Sequence, residues 1–263
     1  MDARNGFFLD WPSNGTCDAK EGNRAVFIVA LRSFLSVCKE AGITPNPLCE
    51  KVLAKLLKAA KSDVNLKQIV ALSYLAGRTD KRAAAEKLTK GGAKGLSTFM
   101  SYFILKALAE CSGVGKAVEI MKEYYGGMLD RGATSFWEDF NVEWLDGSGR
   151  IDEITPDGLK DLHGDHGAFC YKGFRHSLCH GWSCGPVQFL TEKVLGVEVL
   201  SAGCKKIAIN PELGKFEYAR GKFPTPYGVV EINAKKENGK TVVSILSPKQ
   251  IEIVSEYGNI TQY

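Results

Sequence analysis

The sequence predicts a mainly α-helical chain with a small β domain at its C-terminal end. Between residues 24 and 128, apolar side chains recur with the helical period in segments joined by short links. Residues 132–177 are rich in Gly, Asp, His and aromatic side chains and show little periodicity. After Gly203 the pattern changes to short β-type segments. We therefore expect a helical domain over residues 1–200 and a β domain over residues 201–263.

Seven helices are expected. The first, over residues 24–41, is apolar nearly all round, which is typical of a helix buried on every side, and Gly42 ends it. Asn46 caps the second, with Pro47 at its first position. Ser97 is the expected cap of the fifth. The others are expected over residues 64–76, 80–90, 114–128 and 178–195. Short links make successive helices antiparallel neighbours.

The β domain is expected to contain four strands, over residues 206–210, 216–219, 229–233 and 240–246. The last two are joined by Glu237-Asn238-Gly239, and an Asn-Gly pair is a strong hairpin signal. The segment Lys-Phe-Pro-Thr-Pro-Tyr-Gly over residues 222–228 carries two prolines and a glycine. Such a composition predicts a rigid turn between strands.

Composition excludes several classes of function. The net charge is +4 with no basic block among aromatic residues, so we expect no nucleic-acid partner. The longest uninterrupted apolar stretch, over residues 25–31, is too short to cross a bilayer, so we expect no membrane partner. No signal-peptide pattern opens the sequence, and eight cysteines then fit reduced thiols in the cytoplasm. We expect no cofactor.

Two segments together supply carboxylates, aromatic rings and two histidines. The first reads Arg-Gly-Ala-Thr-Ser-Phe-Trp-Glu-Asp-Phe over residues 131–140. The second reads Arg-His-Ser-Leu-Cys-His-Gly-Trp-Ser-Cys-Gly-Pro over residues 175–186. Aromatic faces stack on the apolar faces of sugars, and carboxylates carry out glycoside hydrolysis. The adjacent carboxylates Glu138 and Asp139 among three rings therefore indicate a sugar site.

Together with Phe8-Leu9-Asp10-Trp11-Pro12 and residues 222–228, these segments resemble the α-L-rhamnosidases, and the likeness runs to about residue 230. Those enzymes are inverting glycoside hydrolases with a six-hairpin (α/α)6 toroid followed by a small β-sandwich. The resemblance implies hydrolysis of terminal L-rhamnose from a rhamnosylated small molecule or polysaccharide. It makes Glu138 the general base. The residues expected to bind substrate are His180, Trp11, Trp137, Trp182 and Asp10.

Some of these residues have equally good structural interpretations. Trp182 fits a core position as well as a sugar contact, and at least one of Phe136 and Trp137 is expected to pack inward. Trp11 could belong to a structural Asp-Trp-Pro turn. Asp139 is better interpreted as a supporting or helix-start residue than as a catalytic one.

The resemblance also implies that part of the enzyme is missing. A closed toroid needs twelve helices, and no position matches the family's general acid, for which Asp10 is a weak substitute. The fold class expected is therefore a partial (α/α)6 toroid followed by a small β-sandwich. The chain is a fragment, is completed by a partner chain or upstream region, or is a shortened descendant. Its open apolar faces predict a partner or aggregation surface. A non-catalytic sugar-binding or scaffold role is the alternative function.

A structural zinc protein is a third hypothesis. Seven potential ligands lie within 22 residues: His163, His166, Cys170, His176, Cys179, His180 and Cys184. Their spacing does not repeat the paired Cys-x-x-Cys pattern of structural zinc sites, and free cysteines are commonly buried as small apolar groups. We therefore predict no metal site.

Overall fold

The computed structural model describes residues 8–10, 12, 13, 16, 18–163 and 177–263. The helices are α1 (Asp18–Glu40), α2 (Leu48–Lys58), α3 (Lys67–Leu75), α4 (Lys81–Thr89), α5 (Ser101–Ser112), α6 (Val114–Asp130) and α7 (Gly185–Phe189). The strands are β1 (Val197–Val199), β2 (Lys206–Ile209), β3 (Tyr218–Thr225), β4 (Gly228–Glu237), β5 (Lys240–Ser247), β6 (Glu252–Val254) and β7 (Ile260–Gln262). No helix in this described part is both long and apolar enough to cross a membrane.

The helices form an arc of two layers. In one layer α1 packs on α3, α3 on α5 and α5 on α7, while α2 packs on α1, α4 on α3 and α5, and α6 on α5. Consecutive helices pack together at α1–α2 and from α3 through α6, as short links predict, whereas α2 does not pack closely on α3, nor α6 on α7. The fully buried side chains between them include Ile69, Leu72, Ile104, Leu108 and Tyr124. This is a stretch of a helical-hairpin toroid rather than a closed ring.

A local signal sets the start of α2 as expected, but not that of α5. The Asn46 side chain accepts a hydrogen bond of 2.9 Å from the Leu48 N–H, as a cap should. The prediction that Ser97 caps the fifth helix is wrong, since α5 begins at Ser101. Thr98 lies in the preceding turn, and its hydroxyl donates to the Glu138 carbonyl. A tertiary contact thus holds residues that local pattern assigned to the helix.

The prediction that the first helix is buried on every side is also wrong. Ala25 and Ile28 are fully buried, whereas Phe34 and Val37 are 49% and 64% exposed. Because α2 and α3 cover only one side of α1, its other apolar side meets no described residue closely enough to be buried.

The segment expected as one helix over residues 178–195 is instead three short pieces. A 3-10 turn spans Gly181–Cys184, α7 follows, and a π turn spans Leu190–Val194. Tyr125 donates its hydroxyl to the Ser183 carbonyl at 3.1 Å, and Pro186 has no N–H to give. Both features favour a break near residue 184 over a continuous helix.

The β domain is a small sandwich. One sheet has the order β1-β2-β6 and the other β3-β4-β5-β7. The two sheets share one apolar cluster that includes Ile207, Ile209, Ile232 and Val243. β1 pairs with β2, so the β structure begins three residues before residue 200.

The two main hairpins differ in how well the sequence predicted them. Asn238 and Gly239 have φ of 49° and 78°, which is the turn expected of an Asn-Gly pair between β4 and β5. The prediction of a turn over residues 222–228 is too long, because β3 continues to Thr225 and only the next two residues form the turn. Pro224 is tolerated within β3 because that strand lies at the edge of its sheet.

Candidate functional site

Glu138 is held by three residues from two other parts of the chain. Its N–H donates to the Ser177 carbonyl at 2.8 Å, and the Ser177 N–H donates to its Oε2 at 3.2 Å. Its carbonyl accepts from the Thr98 hydroxyl and from Trp182 Nε1, the latter at 2.7 Å. The residue is only 4% exposed. These bonds hold the backbone of Glu138 and one oxygen of its carboxylate in place.

The two segments that the sequence analysis singled out lie side by side. The Ser135 hydroxyl donates to the Leu178 carbonyl at 2.6 Å, and the His180 N–H donates to the Phe136 carbonyl at 3.0 Å. The buried Ser183 hydroxyl donates to the carbonyl of residue 137. Hydrogen bonds from backbone and hydroxyl groups thus join residues 135–140, the carboxylate loop, to residues 177–185, the histidine loop. The sequence alone does not show this contact, because the two loops are far apart along the chain.

An aromatic wall stands beside the carboxylate. The His180 Nδ1 lies 3.8 Å from Oε2 of Glu138. The His180 ring centroid is 4.1 Å from that of Trp182, and the Trp182 ring is 5.0 Å from that of Phe99. His180 and Trp182 remain partly exposed, and Phe99 is 42% exposed. A neutral imidazole can exchange hydrogen bonds with a hydroxyl, and an indole face can stack on a sugar ring.

A cavity of about 190 Å³ opens at this wall. Its lining is mostly apolar and includes two carboxylate-bearing segments, one at Asp10 and one at Glu138 and Asp139. The lining residues are Phe8, Leu9, Asp10, Pro12, Ser97, Thr98, Phe99, Glu138, Asp139 and Trp182. Ligand cavities of drug size occupy about 300–1,000 Å³, so this one fits a smaller ligand or a part of a larger site.

Three carboxylates converge on the cavity. Asp10 is 2% exposed, and its Oδ1 accepts from the Ser13 N–H at 3.0 Å. Its Oδ2 is buried and finds no hydrogen-bond partner among the described residues. Burial raises the pKa of Asp139, and the nearby carboxylates of Glu138 and Asp10 raise it further, against a hydrogen bond from the Phe140 N–H. Buried acceptors of this kind suit a ligand that brings hydroxyl donors.

The expected substrate-binding residues are therefore divided in position. Asp10 and Trp182 line the cavity with Glu138, and His180 lies beside it. Trp137 is 1% exposed and packs edge-on against Phe140 in the helical core, so we correct its expected role from sugar contact to core residue. Trp11 lies outside the described residues.

Two cavity residues escaped the sequence analysis as site residues. Neither Thr98 nor Phe99 was singled out, because the Ser-Thr-Phe sequence that carries them has no distinctive pattern. They reach the cavity because the turn before α5 is bonded to the Glu138 carbonyl.

Within the described part of the chain, no three His, Cys, Asp or Glu side chains are placed to hold a metal ion. His166, Cys170 and His176 of the zinc hypothesis lie outside that part. The six described cysteines are free thiols, and Cys179 and Cys184 are exposed rather than buried. Their expected role as apolar filler therefore does not hold at those two positions.

Comparison with known proteins identifies the architecture. Residues 196–254 match the family described as the bacterial alpha-L-rhamnosidase C-terminal domain. No curated protein matches the chain by sequence. The GH78 family rhamnosidase of Bacillus sp. GL1 aligns with 97% of this chain at 23% identity and a TM-score of 0.71, over 28% of its own length.

Two further structures agree. The Streptomyces avermitilis α-L-rhamnosidase, solved as a complex with L-rhamnose, covers 88% of this chain at 17% identity and a TM-score of 0.65, over 22% of its own length. The α-L-rhamnosidase of Aspergillus terreus covers 85% at 16% identity and a TM-score of 0.61, over 26% of its length. This chain thus spans about a quarter of the length of these relatives. It has the fold of the C-terminal part of the α-L-rhamnosidases, a stretch of the helical toroid followed by the β domain.

Proposed function

We propose that this chain forms the base-bearing part of an α-L-rhamnosidase site, in which Glu138 activates the water that attacks the anomeric carbon of a terminal L-rhamnose. One observation carries the proposal above others. Glu138 is 4% exposed, lies on the wall of a cavity, and is held by bonds from three residues of two other chain segments, beside an aromatic wall. A general base in an inverting hydrolase must be fixed in this way so that water sits between it and the sugar.

The neighbouring residues take roles that follow from their chemistry. His180 would exchange a hydrogen bond with a sugar hydroxyl, and Trp182 with Phe99 would cover an apolar sugar face. Asp10, whose buried Oδ2 has no hydrogen-bond partner in the described part of the chain, would accept from a second hydroxyl. The L-rhamnose complex of the Streptomyces relative supports this choice of sugar. Trp11 remains a proposed stacking residue on the resemblance of its motif.

The proposed reaction needs a second carboxyl group that this chain does not offer at a matching position. Inversion uses an acid and a base about 6.5–9.5 Å apart, with the acid protonating the leaving oxygen. We therefore place the acid on further polypeptide that completes the toroid. The substrate would be a rhamnosylated small molecule or polysaccharide, and the free thiols favour the cytoplasm as its compartment.

The chain alone should hydrolyse rhamnosides very poorly. Aryl rhamnosides with a leaving group such as p-nitrophenol need the least protonation, so any residual turnover should be confined to them. Two assays measure this. One follows release of p-nitrophenol from p-nitrophenyl α-L-rhamnoside, and the other follows release of rhamnose from a natural rhamnosyl flavonoid. Rapid cleavage of the flavonoid by the isolated chain would show that a complete acid-base pair is present.

Glu138→Gln tests the base in an enzyme whose toroid is complete. General base catalysis contributes about 10²–10⁴-fold, so kcat should fall by that order while KM changes little. Azide needs no deprotonation, so it should restore turnover and give a β-rhamnosyl azide. Glu143→Gln is the matched control, because that carboxylate is half exposed and paired with Lys94. Near wild-type kcat in Glu138→Gln would reject the assignment.

The alternative is a non-catalytic sugar-binding or scaffold protein. It predicts that L-rhamnose binds the wild type and Glu138→Gln with equal affinity, as measured by the change in Trp182 fluorescence. It also predicts that no enzyme in which the toroid is completed hydrolyses rhamnosides. His180→Ala should weaken sugar binding under either function, because it removes one hydroxyl contact.

A further inference from the structure

A groove of about 970 Å³ lies between the helices and the β domain, and we call it the interdomain groove. One wall is α5, the second is α7 with the π turn Leu190–Val194, and the third is formed by β1, β3 and the end of β2. No described residue lines both this groove and the cavity at Glu138. Ligand sites of this volume often lie between domains, and π turns are frequent at functional sites. The fold therefore provides a second place for a ligand.

Hydrogen bonds hold the two helical walls of the groove together. The Tyr102 hydroxyl on α5 donates to Oε2 of Glu192 at 2.6 Å, and Nε2 of Gln188 donates to Oε1 of Glu192 at 2.7 Å. Glu192 belongs to the π turn, so its carboxylate is fixed from both walls. Burial and the Glu192 carboxylate raise the pKa of Tyr102, so its hydroxyl keeps its proton and remains a donor. A carboxylate has about four acceptor positions, so Glu192 can also accept from a ligand.

The charges in the groove are of both signs and nearly balance. The lining carries four glutamates against three lysines. Oε1 of Glu110 lies 3.2 Å from Nζ of Lys106 and 3.6 Å from Nζ of Lys193. An anionic ligand would meet more carboxylates than ammonium groups, and a cationic one would meet nearly as many ammonium groups as carboxylates. A hydroxyl both donates and accepts, so it can bind groups of either kind. The lining therefore fits a neutral saccharide.

The β wall adds two carboxylates that are available to a ligand. Glu198 on β1 and Glu212 after β2 are exposed, and their side chains make no ion pair or hydrogen bond within the described part of the chain. Apolar surface in the same groove comes from Phe223 on β3 and from Val187 on α7, which is 63% exposed. Acceptors combined with apolar surface, including an aromatic ring, suit the hydroxyl groups and the apolar faces of sugars.

The interdomain groove lies close to the candidate site. Phe99 of the cavity and Tyr102 of the groove are three residues apart, a separation of at most about 11 Å along the chain. Trp182 of the cavity is followed by Val187 of the groove, and Gly185 between them packs against the Tyr102 backbone. A saccharide with its terminal sugar at Trp182 would need only a few further units to reach the groove.

We propose that the interdomain groove binds the neutral saccharide chain to which the terminal rhamnose is attached. Of the two substrate classes, the substrate is then an oligosaccharide or polysaccharide. The place of the rhamnose rests on the proposed function, whereas binding of a saccharide in the groove does not. Glu192 and Glu198 accept from sugar hydroxyls on different walls, and Tyr102 positions the first of them.

Titration calorimetry on the full chain tests the groove with matched probes. The probes are neutral trisaccharides of glucose, galactose, mannose and xylose, the same trisaccharides carrying a terminal α-L-rhamnose, and L-rhamnose alone. At least one trisaccharide should bind, and its rhamnosylated form should bind more tightly than either part. Glu198→Ala should weaken trisaccharide binding roughly tenfold, because it removes an ionised acceptor, and should leave the affinity for L-rhamnose unchanged. Glu192→Gln should act in the same direction.

The control variant is Glu217→Ala, at an exposed glutamate outside the groove lining, and it should bind the trisaccharide as the wild type does. Glu198 is exposed and makes no ion pair within the described residues, so Glu198→Ala should keep the wild-type melting temperature. A lower affinity in Glu198→Ala at an unchanged melting temperature therefore reports the lost contact rather than lost folding.

The outcomes separate the groove from the proposed function. Failure of every trisaccharide to bind overturns the inference, as does equal affinity in the wild type, Glu198→Ala and Glu192→Gln. Tighter binding of trisaccharides in which one sugar is a uronate overturns the neutral ligand. Trisaccharide binding without any binding of L-rhamnose keeps the groove and rejects the proposed function. L-rhamnose binding without trisaccharide binding keeps the proposed function and rejects the groove.

Discussion

Gly185→Ala should loosen the packing of the histidine loop against α5. Gly185 begins α7, and a Cβ built on it would lie 2.3 Å from the Ser101 hydroxyl oxygen and 2.7 Å from the Tyr102 backbone nitrogen. The hydroxyl could rotate away, but the backbone nitrogen belongs to the first turn of α5. The two helices must therefore separate by several tenths of an ångström. Glycine is needed here for close approach rather than for an unusual φ.

The expected cost follows from two opposing terms. Forcing an extra methyl group into a packed contact costs about 1–3 kcal/mol. Replacing glycine by alanine returns about 0.4–1 kcal/mol by restricting the unfolded chain. We therefore expect a net loss of about 0.5–2 kcal/mol. At about 2–4 °C per kcal/mol for a chain of this size, the melting temperature should fall by several degrees.

The matched control lies four residues earlier in the same loop. A Cβ on Gly181 would meet no heavy atom within 4 Å, so Gly181→Ala should leave the melting temperature unchanged or slightly raised. Thermal unfolding followed by circular dichroism compares the two. The Trp182 emission should also change in Gly185→Ala, because its indole bond to the Glu138 carbonyl depends on the position of this loop. Equal stability of the two variants would refute the packing argument.

Two further predictions concern charge and metal. Burial raises the pKa of Asp139 in the folded state above its unfolded value of about 3.9. Between the unfolded and the folded pKa, the folded state therefore binds more protons than the unfolded state, and stability falls as pH rises through that window. Asp139→Asn should therefore stabilise the protein at pH 7 and have little effect near pH 3. Denaturant unfolding at both pH values measures this, and an equal gain in the free energy of unfolding at both would contradict burial of the charge as the cause. Purified protein should carry no stoichiometric zinc by elemental analysis, and chelators should leave its melting temperature unchanged; one zinc per chain with chelator-sensitive folding would establish the zinc hypothesis instead.

Sequence alone predicted the elements whose causes are local. The Asn46 cap and the Asn238-Gly239 turn depend on residues within a few positions of each other, and both are found. The start of α5 could not be predicted in this way, because it depends on a bond from Thr98 to a carbonyl forty residues later. Pro224 was assigned to a turn, since its place at a sheet edge is a property of the assembled sheet.

The same distinction explains what could be predicted of the site. A run of Trp, Glu and Asp predicts a carboxylate among aromatic rings, but it does not show which of these side chains the fold buries and which line the cavity. Here Trp137 packs into the core while Glu138 lines the cavity, so the aromatic partner of the carboxylate is Trp182 from the other loop.

The position of the carboxylate is thus determined less by its own segment than by the loops bonded to it. Ser177 and Trp182, from one loop, donate to its carboxylate and its carbonyl, and Thr98, from the turn before α5, also donates to its carbonyl. Each of these bonds spans about forty residues of sequence. Loss of one bond should therefore shift Glu138 without unfolding the chain, since the helical core beneath it is formed by other residues. These three bonds also explain how a carboxylate on an irregular segment keeps its place at the cavity wall.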